Sequence, residues 1–222
     1  CDCGPAPSAS AGSAGTTPIT PHGSPRSMSD CMVCGKPLSY LERDRKETCL
    51  YCGRTLLANA VCAAGHFVCD ACHGGDMVEI VKQVCTHTTA DDLINLMNEL
   101  RCHPAFPVNG PEHHFAVPGV ILAVYRNRGG AVSNKDIVTA IDRGKQVPGG
   151  VCAFWGACGA AVGVGIAFGV MLQSTPLTPT HRQQVQQITE AVIARINAYE
   201  AARCCQRESW TALRAAAELS RQ

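Results

Sequence analysis

Four closely spaced pairs of metal-binding side chains place the strongest constraint on how this sequence can fold. The pairs are Cys31-x2-Cys34, Cys49-x2-Cys52, Cys62-x3-His66 and Cys69-x2-Cys72. A Cys-x-x-Cys turn places two thiolates on one side of a tight knuckle, and eight such ligands are enough for two tetrahedral zinc ions. Gly35 and Gly53 each follow a knuckle, where a positive φ is often needed. The sequence therefore predicts a small module at residues 31–75 that binds two structural zinc ions.

The pairing of these ligands stays open at this level. A sequential arrangement joins the first two pairs in a ribbon, whereas a cross-braced arrangement joins the first pair with the third and the second with the fourth. The 14 residues between Cys34 and Cys49 suit a ribbon hairpin but do not separate the two schemes. A competing interpretation takes Cys69-Asp-Ala-Cys72-His73 as a c-type haem attachment motif. It requires export and leaves six ligands for two zinc ions, so zinc is favoured.

Composition narrows the class of protein. The net charge of +1 and an aromatic content of 5% argue against a nucleic-acid-binding surface, which needs basic side chains and stacking platforms. Fifteen cysteines, several in metal-ligand spacing, indicate a reducing compartment, and we expect a cytoplasmic protein. Residues 1–30 are rich in Ser, Pro, Gly, Ala and Thr and contain no apolar run typical of a signal peptide. They are predicted to be a disordered linker that follows an upstream domain.

The periodicity of apolar residues predicts a helical domain at residues 76–222, so the expected fold class is mainly α, a small two-zinc Cys/His module followed by an all-α domain. Helices are expected around Met77–Val84 and Leu93–Leu100, from Pro118 to the Gly129-Gly130 stop, from Ser133 to about Arg143, from Thr178 to about Ala202, and from about Ser209 to Leu219. Thr89 with Asp92 is the expected cap of the second helix. The uncharged stretch 151–173 allows a transmembrane helix, but it is poor in Leu, Ile and Phe. A tightly packed glycine-rich helix in a soluble bundle, and no contact with a membrane, is the favoured interpretation.

Two groups in the helical half are candidates for chemistry. The first flanks a loop stiffened by prolines and consists of Cys102, His103, Glu112, His113 and His114. Neighbouring histidines and a carboxylate in a rigid loop suit metal binding or proton transfer, so these residues are candidate catalytic residues.

The second group is rich in thiols: Cys152, Cys158, Cys204 and Cys205. Cys158 lies where a helix is expected to start, and there the helix dipole favours a thiolate. Cys152 and Cys158 are therefore candidate catalytic thiols, and all four cysteines are candidate ligands of a cofactor such as an iron–sulfur cluster. Cys85 is predicted to be an inert core thiol.

Three segments carry a resemblance to a known family. They are His103-Pro-Ala-Phe-Pro-Val-Asn-Gly-Pro-Glu-His-His, Val124-Tyr-Arg-Asn-Arg-Gly-Gly and Arg203-Cys-Cys-Gln-Arg. Residues 31–220 resemble an uncharacterised family of anaerobic bacteria and archaea, numbered 5714 among domains of unknown function. Some members are joined to methyltransferase or radical-SAM modules, so the resemblance implies an upstream or associated enzyme. Gly150-Val-Cys-Ala-Phe-Trp-Gly-Ala-Cys-Gly-Ala-Ala-Val-Gly is similar to redox-active proteins named for a C-GCAxxG-C-C pattern, without a clear Gly-Cys-Ala element.

The sequence therefore favours a metal-binding redox or sulfur-handling protein with structural zinc and a second Cys/His site. The alternative is a zinc-stabilised accessory module that binds an enzyme and does no chemistry itself.

Overall fold

Two β-strands followed by eight helices form the regular structure in the part of the chain that the computed structural model describes, residues 31, 33–69, 72, 76–201 and 204–221. The predicted linker at residues 1–30 and His73 of the haem motif lie outside the described residues. The elements are β1 (Leu38–Thr48), β2 (Thr55–Cys62), α1 (Met77–His87), α2 (Leu93–Arg101), α3 (Glu112–Asn127), α4 (Asn134–Lys145), α5 (Val151–Phe154), α6 (Gly159–Met171), α7 (Pro179–Asn197) and α8 (Cys205–Leu219).

The two strands form one antiparallel hairpin. Its register runs from Leu38 opposite Cys62 to Thr48 opposite Thr55, with an irregularity between Tyr40 and Arg45. Most side chains of β1 are exposed, so the hairpin has little apolar surface of its own to bury. An isolated two-stranded hairpin is marginally stable at best. The module therefore depends on other contacts to stay folded.

Helix α3 is the centre of the helical domain. Its residues 113–124 are all buried, and it packs against α1, α2, α4, α6 and α8. A helix that is apolar all round has to lie inside a bundle, which is where α3 lies. In the described residues from 76 onward, all the regular elements are helices, and no helix there combines the length and apolarity needed to cross a membrane.

The start of α3 corrects a prediction. The helix begins at Glu112, and Pro118 lies inside it rather than opening it. Pro118 has no N–H to bond the carbonyl of His114 one turn earlier. Glycines of the neighbouring helices pack closely there: a Cβ at Gly144 would lie 2.7 Å from His114 O, and one at Gly163 would lie 3.1 Å from it. The close approach of three helices keeps the proline inside a continuous helix.

Other helix ends agree with the sequence more closely. Ser133 and Asp136 form the predicted reciprocal capping box of α4, and α3 ends just before Gly129, whose φ is +87°. The predicted cap of α2 is corrected: Asp92 itself is the N-cap residue without Thr89, since its side chain accepts from the N–H groups of Ile94 and Asn95.

Two predicted boundaries near the C-terminus are wrong. Helix α7 ends at Asn197 instead of Ala202, where the N–H of Tyr199 bonds Ile196 O in a tighter turn. Helix α8 begins one turn before Ser209, because Cys204 O already accepts the Glu208 N–H at 2.9 Å.

Candidate metal centres and a thiol site

The first candidate metal centre lies at the open end of the hairpin. Its ligand atoms all lie within 4.8 Å of one another and come from Cys31, Cys34, Cys62 and His66. The Sγ atoms of Cys34 and Cys62 are 3.4 Å apart, and Cys31 Sγ lies 3.8 Å from His66 Nδ1. Two ligands therefore precede β1, and the other two end or follow β2.

The second centre lies at the turn of the hairpin. Its four ligands are equally close together, are all buried, and are Cys49, Cys52, Cys69 and Cys72. Cys52 Sγ and Cys69 Sγ are 3.7 Å apart, and the backbone N–H of Cys69 donates to Cys49 Sγ. The segment after β2 returns to the turn, where the N–H of Leu50 bonds Phe67 O at 2.9 Å. This return places the fourth pair of ligands, Cys69 and Cys72, beside the second pair, Cys49 and Cys52.

The two centres together decide between the pairing schemes. The first pair of ligands joins the third and the second joins the fourth, so the module is cross-braced. The predicted positive φ angles are confirmed at Gly35 (+70°) and Gly53 (+65°), whose N–H groups bond Cys31 O and Cys49 O. Cys69 and Cys72, the cysteines of the haem motif, belong to the second group. In the described residues, no other group of ligand atoms is this close together.

Arg54 contacts the second candidate centre and was missed by the sequence analysis. Its guanidinium donates to Cys52 Sγ at 3.4 Å and lies 3.9 Å from Cys69 Sγ. Burial opposes ionisation of Cys52, but the bonds from Arg54 prevail and lower the pKa of that thiol to about 6. In the first group the backbone N–H of Ala64 lowers the pKa of Cys62 to about 6. Both groups therefore contain a thiol prepared to ligate a metal as the thiolate.

His103 joins the metal-binding module to the helical domain. Its Nδ1 accepts from the Ala105 N–H at 3.1 Å, so its Nε2 carries the proton and donates to Cys72 O at 3.1 Å. The ring also packs against Tyr51, with 5.4 Å between centroids. His103 is 2% exposed. The catalytic role of His103 stays a prediction. Its contacts with Cys72 and Tyr51 indicate a structural role, in which it links the helical domain to the second metal centre.

His113 lies on the first turn of α3 and not in a loop, which corrects the predicted location of the whole Glu112–His114 segment. Its Nε2 lies 3.2 Å from the carbonyls of both Pro107 and Val108, so it carries the proton. Its Nδ1 lies 2.8 Å from Ser209 Oγ. Burial lowers the pKa of His113 to about 4, despite the two carbonyls. His113 is therefore neutral and holds the start of α3 against α8.

We expect this histidine to make the protein less stable in acid. The unfolded chain takes up a proton near pH 6.5 and the folded chain only near pH 4, so the free energy of unfolding falls as the pH drops between them. The full loss is about 3 kcal/mol. Urea unfolding at several pH values should show a shallower slope for His113→Gln than for the wild type. The exposed His87→Gln is the control, and equal slopes for all three proteins would contradict the assignment.

The other residues of the predicted His/Glu group do not meet at one point. His114 Nδ1 donates to Val147 O at 3.0 Å, and its ring lies against Gly159 at the start of α6. The buried Oε2 of Glu112 lies near Gly110 instead. Cys102 ends α2 and is half-buried. Of this group, the geometry places His114 beside the predicted thiol site.

The thiol site gathers two of the four predicted cysteines around a buried carboxylate. Cys158 is the N-cap residue of α6, as predicted, and Cys204 is the N-cap residue of α8. Burial and then the Glu208 carboxylate raise the pKa of Cys204 to about 12. The predicted preference of Cys158 for the thiolate is wrong: the N–H groups of Ala160 and Ala161 lower its pKa, but burial prevails and raises it. Cys152 is exposed on the short helix α5. Cys205 is half-buried on α8.

Three helix N-termini converge at this site. His113 joins the first turn of α3 to the second turn of α8 through Ser209, and His114 joins the first turn of α3 to the start of α6 through Gly159. Each terminus carries a partial positive charge and free N–H groups. Glu208 was missed by the sequence analysis, although its position four residues after Cys204 places the two on one helix face. Cys85, by contrast, is fully buried in the core as predicted.

The fold and these sites define a protein with two candidate metal centres in a cysteine-rich N-terminal module, followed by a helical domain. The chain belongs to a family of unknown function, DUF5714, whose model matches residues 81–222. The match covers the helical domain, and the cross-braced module lies before it. Neither the curated proteins nor the solved structures contain a significant match to this chain.

Proposed function

We propose that this protein is a zinc-scaffolded redox or sulfur-handling protein in which Cys158 and Cys204 carry the chemistry. Zinc is favoured by the donor sets of the two N-terminal groups, three thiolates with one imidazole and four thiolates. Zn–S bonds of about 2.3 Å in a tetrahedron place two sulfurs about 3.8 Å apart. The sulfur separations of 3.4 and 3.7 Å in the two groups fit this geometry. Metal-binding thiolates also favour a reducing, cytoplasmic location.

The observation that supports the redox part is the convergence of Cys158 and Cys204 beside Glu208. Two thiols can reduce a disulfide substrate to two thiols while they form one S–S bond, which transfers two electrons and two protons. Glu208 offers a nearby proton acceptor for this step. Soft thiolates are also ligands for iron, so an iron–sulfur cluster is the second form of the same proposal.

Peptide mapping after oxidation tests the dithiol. Anaerobically prepared full-length protein, freed of loosely held metal, is treated with oxidised glutathione. We expect a Cys158–Cys204 disulfide, formed faster as the pH rises from about 7 to about 9, because burial raises the pKa of both thiols and the thiolate is the reactive form. Cys205→Ser should keep the linkage. Oxidation confined to the exposed Cys152 would contradict the proposal.

A second candidate function is a non-catalytic accessory module for an associated enzyme, such as a methyltransferase or a radical-SAM protein. Phe154 and Trp155, which lie between Cys152 and Cys158 in the sequence, favour it, since they are 84% and 71% exposed and such surface aromatics are typical of binding surfaces. Activity of the enzyme with the Cys158→Ser protein separates the two functions. Full activity supports the accessory module, and its loss supports the thiol chemistry.

A further inference from the structure

We propose that the thiol site of the helical domain binds one divalent metal ion through Cys158, Cys204, Glu208 and His114, as a third metal site of the protein. The inference rests on the proposed thiol site and names the ligand that this site takes. The ion is of borderline softness, such as zinc or ferrous iron.

Glu208 gives the first argument. Its side chain is 3% exposed, and one carboxylate oxygen pairs with the Arg207 guanidinium. The other oxygen, Oε2, is buried and has no hydrogen-bond partner. A buried carboxylate oxygen without a partner costs free energy, and such groups are normally paired or coordinate a metal. Three helix N-termini alone would favour an anion here, but the Glu208 carboxylate already supplies the negative charge, and its Oε2 is available to a metal ion.

The thiols give the second argument. Cys204 lies one helical turn before Glu208 on the same face of α8, and Cys158 approaches from the start of α6. Both thiols interact with the Glu208 carboxylate. Two sulfurs and one carboxylate oxygen suit zinc or ferrous iron, whereas calcium and magnesium take oxygen ligands alone.

His114 gives the third argument. Its Nδ1 donates to Val147 O, so in the neutral ring the lone pair is on Nε2. Metal-ligating histidines usually hold their other N–H against a carbonyl or carboxylate in this way. Gly159, next to Cys158, leaves the space that the ring fills, because a Cβ there would lie 2.3 Å from His114 Nε2. The imidazole, with its acceptor nitrogen, thus reaches the start of α6 next to Cys158.

The arrangement favours a single ion over a cluster. Cys152 is exposed on α5, and Cys205 follows Cys204 on α8, where it faces a different direction from Cys204 and Glu208. The donor atoms around Glu208 are spaced more widely than the 4.8 Å that joins each N-terminal group. Metal binding therefore requires the Cys158 and Cys204 side chains to rotate towards Glu208.

The metal content of the full chain tests the proposal. The protein is reconstituted anaerobically with zinc alone or with ferrous iron added to the zinc form, and its metal is counted by mass spectrometry. We expect about three ions per chain in the wild type and about two in Glu208→Gln and Cys204→Ser. Serine is a favoured N-cap residue, so Cys204→Ser should keep α8 folded. Glu218→Gln, which alters an exposed carboxylate of the same helix that pairs with Arg195, is the matched control and should bind about three.

Reaction with oxidised glutathione gives an independent measurement. Added metal should slow oxidation of Cys158 and Cys204 at least tenfold in the wild type and not in Glu208→Gln. Two ions in the wild type, three in Glu208→Gln, or a cluster containing inorganic sulfide would each overturn the proposal. If the thiols oxidise but metal neither binds nor protects, the third metal site fails and the thiol chemistry stands. If metal binds but the metal-depleted thiols never oxidise, the thiol chemistry fails and the metal site stands.

Discussion

We expect Cys49→Ser to lose one metal ion per chain and to unfold the N-terminal module. Cys49 is 1% exposed and belongs to the four-sulfur group at the turn of the hairpin. Structural zinc contributes about 10–16 kcal/mol of apparent binding free energy to folding in small zinc modules, and the hairpin has little core to replace it. Because the centres are cross-braced, loss of the second one also frees the hairpin turn and the segment after His66 that returns to it.

Metal counting and limited proteolysis measure this effect. Cys49→Ser should become cleavable within residues 38–62 while helical circular dichroism from the second domain persists. Cys152→Ser removes an exposed thiol outside both groups and is the control. A Cys49→Ser protein that kept two ions in the N-terminal groups, or a hairpin that stayed protected, would show that these cysteines are not structural ligands.

The second large effect is expected for Gly144→Ala in α4. Alanine normally stabilises a helix interior by about 1 kcal/mol relative to glycine. A Cβ at Gly144, however, would lie 2.6 Å from Phe115 Cα and 2.7 Å from His114 O, both backbone atoms that cannot rotate away. Such overpacking costs roughly 1–3 kcal/mol or more and moves α3 and α4 apart. Because both contacts are with backbone atoms, we place the cost at about 3 kcal/mol. After the gain in helix propensity the net loss is about 2 kcal/mol, which lowers the Tm by roughly 4–8 °C.

Thermal unfolding checks this prediction. Gly149→Ala is the matched control, because the nearest atom to a Cβ there is Pro111 Cδ at 4.0 Å. The control should unfold within about 1 °C of the wild type. An unchanged or higher Tm for Gly144→Ala would mean that the α3–α4 contact is looser than the structure shows.

The ligand spacing and the helix signals were readable from the sequence because both are local. Cys-x-x-Cys spacing indicated the knuckles, and the Ser133–Asp136 box indicated the start of α4. The cross-bracing was not readable, since it depends on the return of the chain after β2 to the turn. The Leu50–Phe67 backbone bond that fixes this return has no local sequence signature.

The helical site shows a similar limit. Pro118 was interpreted as a helix start, although close packing by Gly144 and Gly163 keeps it inside α3. That error placed His113 and His114 in a loop. Cys158 and Glu208 lie 50 positions apart in the sequence and meet only because α6 and α8 start at the same end of the bundle.

Cadmium-113 NMR of the Cys34→Ser variant tests the cross-braced module most directly. Cadmium bound by four sulfurs resonates downfield of cadmium bound by three sulfurs and one nitrogen, so the two N-terminal centres are distinguishable. Cys34 belongs to the Cys3His group in the structure, together with His66. The account predicts that the variant loses or shifts the three-sulfur resonance and keeps the four-sulfur one. Loss of the four-sulfur resonance with the three-sulfur one intact would instead establish sequential pairing and contradict the structure.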